Sequence, residues 1–207
     1  MKRTFAIFFS LVLTTILSVG CFKVDDSLGK SMGRWKDLNV ESMAQNHAAG
    51  LEYIEVTMND VIGKDTVGVR DRAALLKAQI DSSGLKVWSV HMPYSKKVDV
   101  SLVDSAKRAD AVNYVKDMMR AAAVFQPKYV VLHPSSEPVS PDERTERIAY
   151  SHASIGEIAL VAKEIGAVLC VENLPRTCLG KNGEEMMALI EGYDEVGLCF
   201  DVNHLLY

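Results

Sequence analysis

The chain has 207 residues, 48% of them hydrophobic and 24% charged, an ordinary globular balance with enough apolar residues for one sizeable core. Its formal net charge of -4 implies no broad basic face, so no nucleic-acid partner is expected. In chain order, the first segment reads as a targeting signal. Met1-Lys2-Arg3 is a short basic lead, Phe5 to Val19 is apolar with only Ser and Thr interrupting, and Gly20-Cys21 follows. Residues 1–20 thus fit a secretory signal peptide and are short for a membrane span. A cysteine placed there is expected to be the lipidated N-terminus of a bacterial lipoprotein, although Ser18 stands where such signals usually carry Leu. The expectation is an exported protein, periplasmic or membrane-anchored, that meets the membrane only through a lipid on Cys21.

Beyond Cys21, short β-rich runs alternate with helical segments. A first strand is expected near Leu28 to Trp35, although its apolar pattern is poor. "GLEYIEVTM" reads as a strand, and "DRAALLKAQIDSSGL" as a helix stopped by Gly84. "KVWSVHMPY" is a strand ended by proline, followed by a long helix, "SAKRADAVNYVKDMMRAAAVF", with apolar spacing of three and four. "KYVVLHP" is the next strand, and "PDERTERIAYSHASIGEIALVAKEIG" the next helix. "AVLCVENLP", "NGEEMMALIEGYD" and "VGLCFDVNH" complete the alternation as strand, helix and strand. This order argues for βαβ units and a parallel sheet. Several strands are continuously apolar, as expected when both faces are buried.

Each clear strand ends on a polar side chain: Glu55, His91, His133, Glu172 and Asp201. They recur roughly every 30 to 40 residues, about one βα unit each. Chemistry gathers at strand carboxyl ends in both barrels and open sheets, but only a ring makes five tips converge. The expected fold is therefore α/β, a (β/α)8 TIM barrel of which about six βα units are present over residues 22–207. Adjacent strands lie about 4.8 Å apart, so inward tips on neighbouring strands can share one ion. His91, His133, Glu172 and Asp201 offer two imidazoles and two carboxylates, a set that suits a divalent metal.

The motifs "SVHMPY", "VVLHPSS", "VENLP" and "CFDVNH" together resemble the strand ends of the xylose-isomerase-like TIM-barrel superfamily of sugar isomerases, epimerases and metal-dependent apurinic endonucleases. The resemblance covers roughly Gly50 to His204. It implies that Glu172 is a metal-ligating carboxylate and an acid/base, that Asp201 is a second carboxylate ligand, and that His204 contacts substrate or a further metal. His91 and His133 bind metal in the endonuclease branch and face substrate in many sugar enzymes. Asn173 is expected to orient its neighbours, and Glu55 either touches substrate or is structural. The implied cofactor is a divalent ion (Mn, Zn, Mg or Co), and the implied partner a small sugar. The resemblance also implies a histidine on a seventh strand and a carboxylate on an eighth. Tyr207 precedes both, so the chain reads as about three quarters of a barrel, whose usual length is about 250 residues.

Three chemistries follow. The first is a sugar isomerase or epimerase that removes a proton beside a carbonyl through an enediolate. The second is an apurinic-endonuclease-like phosphodiesterase, which export and the acidic balance disfavour. The third is a non-catalytic sugar-binding remnant. Among lesser candidates, Trp35 could form an aromatic wall for a sugar ring or simply pack. Lys96-Lys97 could meet an anionic substrate or form a solvated loop. Trp88 is expected to pack against a helix.

Overall fold

The computed structural model describes residues 27–206. The signal-peptide reading of residues 1–20 and the lipid site at Cys21 lie outside the described residues. No helix among the described residues is long and apolar enough to cross a membrane.

Six strands form one sheet: β1 (Gly29–Ser31), β2 (Tyr53–Thr57), β3 (Lys86–His91), β4 (Tyr129–Leu132), β5 (Val168–Glu172) and β6 (Val196–Cys199). Their spatial order equals their chain order, and every neighbouring pair is parallel. An open doubly wound sheet reverses its strand order at a switch point. Here there is no reversal, so the sheet is the in-order wall of a TIM barrel, six βα units of it. The first strand is shorter than the expected Leu28 to Trp35, because a 3-10 turn at Met32–Arg34 ends it.

The helices between strands are α1 (Val40–Ala48), the short α2 (Met58–Ile62), α3 (Val69–Ser83), α4 (Ser105–Ala122), α5 (Arg144–Glu164) and α6 (Gly183–Ile190). Their ends are written in the sequence. Asn39 accepts from the Ser42 amide and Ser42 answers with its own side chain, closing a capping box on α1. Asp104 accepts from the amides of Ala106 and Lys107 at the start of α4, and Asn182 from that of Glu185 at the start of α6. Gly84 ends α3 in the left-handed region at φ 87°. A Cβ there would lie 2.6 Å from the ring of His47, so glycine also lets α1 and α3 approach.

Alternation along each strand separates two environments. Ile54, Val56, Val90, Val130, Leu132, Leu169 and Val171 face the helices and are almost fully buried against residues such as Met43, Ile80, Val115, Met119, Ile155 and Ile158. Tyr53, Glu55, Ser89, His91, Tyr129, His133, Cys170 and Glu172 alternate with them on the inner face. β3 breaks the alternation once. Ile54 pairs with Val87 but Glu55 pairs with Ser89, leaving Trp88 as the extra residue of a bulge. Trp88 therefore does not pack against a helix as its position suggested. It lies beside Tyr53 and Tyr129, with ring centroids 4.8 and 5.2 Å away.

One buried ion pair fastens the loop after β3 from outside. Arg147 of α5 donates to Asp99 at 2.6 Å and to Ser101 Oγ at 2.8 Å, and all three side chains are buried. Ser101 Oγ donates in turn to Asp99 at 2.7 Å.

Candidate metal and substrate site

The carboxyl ends of the strands surround a cavity of about 620 Å³. Glu55, His91, His133, Glu172, Asp201 and His204 all line it. The five strand tips that the sequence singled out are thus brought to one place, joined by the histidine three residues beyond the last.

Glu172 is the hub. Its Oε2 lies 3.0 Å from His91 Nε2 and 3.0 Å from His133 Nε2, and its Oε1 lies 3.5 Å from His204 Nδ1. The side chain is only 8% exposed, so burial alone would raise its carboxyl pKa. Hydrogen bonds from His133 and His91 outweigh burial and bring it down to about 2. Burial likewise pushes His91 down, but the Glu172 carboxylate overrides it and the net shift is upward. His133 is shifted downward, because burial and the neighbouring His91 charge prevail over the same carboxylate.

Neighbouring groups fix the ring orientations. His91 Nδ1 lies 2.9 Å from the Met92 carbonyl, and His204 Nδ1 lies 2.7 Å from the Asn173 carbonyl. A carbonyl can only accept, so each Nδ1 carries the proton and each Nε2 is aimed inward. Asn173 clamps the Asp201 backbone twice: its Nδ2 donates to the Asp201 carbonyl at 3.0 Å, and its Oδ1 accepts from the Asp201 amide at 2.7 Å. Asn203 holds the Asp201 carboxylate through its amide at 2.8 Å. Tyr94 stacks on His133, with centroids 4.7 Å apart, and meets His91 edge-on. Glu55 accepts from Ser89 Oγ at 2.9 Å, and its charge adds to the upward shift of His91.

Two triads have donor atoms close enough to hold a divalent ion: His91, His133 and Glu172, and Glu172, Asp201 and His204. Both are nitrogen and carboxylate-oxygen sets, and both use Glu172. The donor chemistry fits a divalent metal of the Zn, Mn or Co kind.

Trp35 is not in this cavity. The turn after β1 carries it away, and it packs against the hydrophobic core with Lys30 Nζ 4.7 Å above its ring. Arg34, its neighbour, lines the cavity instead. Ser31, Thr57, Asn59 and Asp60 also line it. Their sequence signal was weak, because they come from a three-residue strand, from the last residue of β2 and from the helix α2, which follows β2 without a break.

A family model described as "xylose isomerase-like TIM barrel" matches residues 43–207. No individual curated protein sequence matches the chain. Among solved structures, a D-tagatose 3-epimerase-like protein superposes with a TM-score of 0.71 at 21% identity, covering 86% of this chain and 66% of its own. A D-psicose 3-epimerase from Clostridium cellulolyticum, solved with D-tagatose, gives 0.72 at 17% identity, with coverage of 87% and 65%. A 3-keto-D-glucoside 4-epimerase from E. coli gives 0.66 at 17%, with coverage of 87% and 70%. The chain therefore spans about two thirds of the length of these structures. At such identities the likeness shows the fold, which is one that sugar epimerases use.

Proposed function

The chain belongs to the xylose isomerase-like TIM barrel family, and on that premise we propose that it is a metal-dependent sugar isomerase or epimerase. The observation that carries this reading is the convergence of Glu172, Asp201 and His204 on one cavity, in a fold that solved sugar epimerases share. Glu172 and Asp201, with His91, His133 or His204, would hold the divalent ion. When bound, the ion supplies a Lewis acid that makes a carbon beside a carbonyl more acidic.

Glu172 is ionised at any neutral pH and can accept that proton. A carboxylate with so low a pKa is a weak base, so the abstraction depends on acidification of the substrate. His204, tethered to the Asn173 carbonyl, presents Nε2 to a substrate hydroxyl. Tyr94 and the stacked His133 form a flat wall for a sugar ring. Delivering the proton on the same face to the neighbouring carbon of the enediolate gives isomerisation. Returning it to the original carbon from the opposite face inverts that centre and needs a second acid, which the family resemblance places on an eighth strand.

The test is solvent exchange. Purified protein with Mn²⁺ or Co²⁺ is incubated in D₂O with D-tagatose, D-psicose, D-fructose, a keto-glucoside, D-fructose 6-phosphate or D-galacturonate, and deuterium at carbon is read by NMR. Metal-dependent incorporation that Glu172→Gln abolishes supports the reading; none with any of these sugars sinks it.

A second reading rests on a separate observation. Because Glu172 belongs to both triads, one carboxylate could bridge two ions, an arrangement suited to phosphodiester hydrolysis. Incision of abasic-site DNA by the zinc-loaded protein tests it. We further propose export with a lipid on Cys21; membrane association that Cys21→Ala removes is the check.

A further inference from the structure

The polar cavity does not stop at the histidines. A second cavity of about 520 Å³ adjoins it, with Arg34, Tyr94, His133, Asp201, Asn203 and His204 common to both. Its lining carries three cations, Arg34 from the turn after β1, Lys96 from the loop after β3 and Arg176 from the loop after β5.

The three cations are placed by different means. Arg176 has a backbone φ of 56°, a left-handed conformation that is unfavourable for a residue with a side chain. Its guanidinium grips Glu137 with two nitrogens, Nε at 3.0 Å and Nη2 closer still, so its charge is largely matched. Lys96 is the second residue of a tight turn closed by the Val98 amide on the Ser95 carbonyl at 2.9 Å. Ser136 Oγ pins the same carbonyl at 2.6 Å, which ties the turn to the loop after β4. Arg34 differs from both. It lines both cavities, is exposed, and has no hydrogen bond or ion-pair partner among the described residues.

A guanidinium without a carboxylate, at the junction of two cavities, has the geometry to receive a planar or tetrahedral oxyanion. A neutral sugar would leave it facing water. We infer that the site takes sugars bearing an anionic group, a carboxylate or a phosphate, with Arg34 as the principal recogniser and Lys96 as a second charge. The reacting end of such a ligand lies at the Glu172 cluster and the anionic end at Arg34. This rests on the sugar reading above and narrows its substrate class.

The experiment is calorimetric titration of the full Mn²⁺-loaded chain with two matched pairs, D-fructose against D-fructose 6-phosphate and D-galactose against D-galacturonate. In at least one pair the charged member binds about tenfold or more tightly than the neutral one, and the gap narrows as salt rises. The pair that responds separates phosphate from carboxylate. Arg34→Ala brings the charged member down towards the neutral one, with the circular dichroism spectrum as a check on folding. Equal affinities within both pairs, no binding by any of the four sugars, or a preference that survives Arg34→Ala would overturn the inference. Solvent exchange reports on the chemistry separately. Exchange on neutral ketoses without a charge preference sinks the anion pocket alone; a charge preference without exchange sinks the proposed reaction alone.

Discussion

The inner face of β3 and β4 carries aromatic rings at both ends, and the two ends do opposite things with them. At the amino end Trp88 lies between Tyr53 and Tyr129, with Lys128 Nζ 4.3 Å above its ring. At the carboxyl end His91 and His133 are just as close, with centroids 4.9 Å apart, and Tyr94 covers them. Ring spacing is therefore not what separates scaffold from site. The difference is the carboxylate. At one end rings meet rings and a cation, an arrangement that adds cohesion. At the other, two ring nitrogens converge on Glu172 and make a donor set. The division follows the barrel rule that chemistry sits at the carboxyl ends of strands and stability at the amino ends.

The contrast can be broken most severely at Glu172. Glu172→Gln replaces the carboxylate common to both triads with a neutral amide, and divalent-ion affinity by calorimetry should fall by more than about 100-fold. Fluorescence from Trp35 and Trp88, both away from the cluster, should stay native; a shifted emission would show that the carboxylate holds the amino end together as well. Trp88→Ala makes the complementary cut. It should lower stability by about 3 kcal/mol, read from urea denaturation, while leaving ion affinity within about twofold. A parallel loss of ion binding would mean that the two ends are one unit.

Acidity sharpens the comparison further. Glu172 is lowered from 4.5 to about 2, so its contribution to metal-free stability is present above pH 4.5 and lost as pH falls towards 2. His91 is raised above 6.5, so its contribution is full below 6.5 and lost as pH rises through its folded value. His133 is lowered and works in the opposite sense, favouring the fold once it is neutral. The Glu172–His91 pair should therefore stabilise most between pH 4.5 and 6.5, with the effect fading as pH rises through the raised His91 value. A series of melting curves from acid to alkaline pH should show this window in the native chain and in Trp88→Ala, and flatten it in Glu172→Gln. The smallest change is Ser89→Ala, which removes the donor to Glu55 between the two ends and should cost about 1 kcal/mol.

How much of this was legible beforehand depended on sequence distance. Strand tips at one βα unit apart reveal themselves, because alternation fixes which side chains turn inward; His91, His133, Glu172 and Asp201 were found that way. Alternation also explains the failure at Trp88. One bulged residue resets the parity, and nothing in "KVWSVH" marks the bulge, which arises from pairing with β2. Trp35 was the conspicuous aromatic near the first strand, yet its neighbour Arg34 reaches the cavity, because a 3-10 turn rather than a strand carries both. Side chains that meet across the fold, such as Arg147 with Asp99, have no local signature at all.

That last pair has a consequence for how the sequence can change over time. Removing either partner strands a charge in the core, a loss of roughly 3–5 kcal/mol, whereas replacing both with apolar side chains of similar volume is often tolerated. Neither position can therefore drift alone. Asp99 and Arg147, 48 residues apart, should behave as one inherited character, with descendants keeping both or exchanging both, although neither lines the cavity at the strand ends.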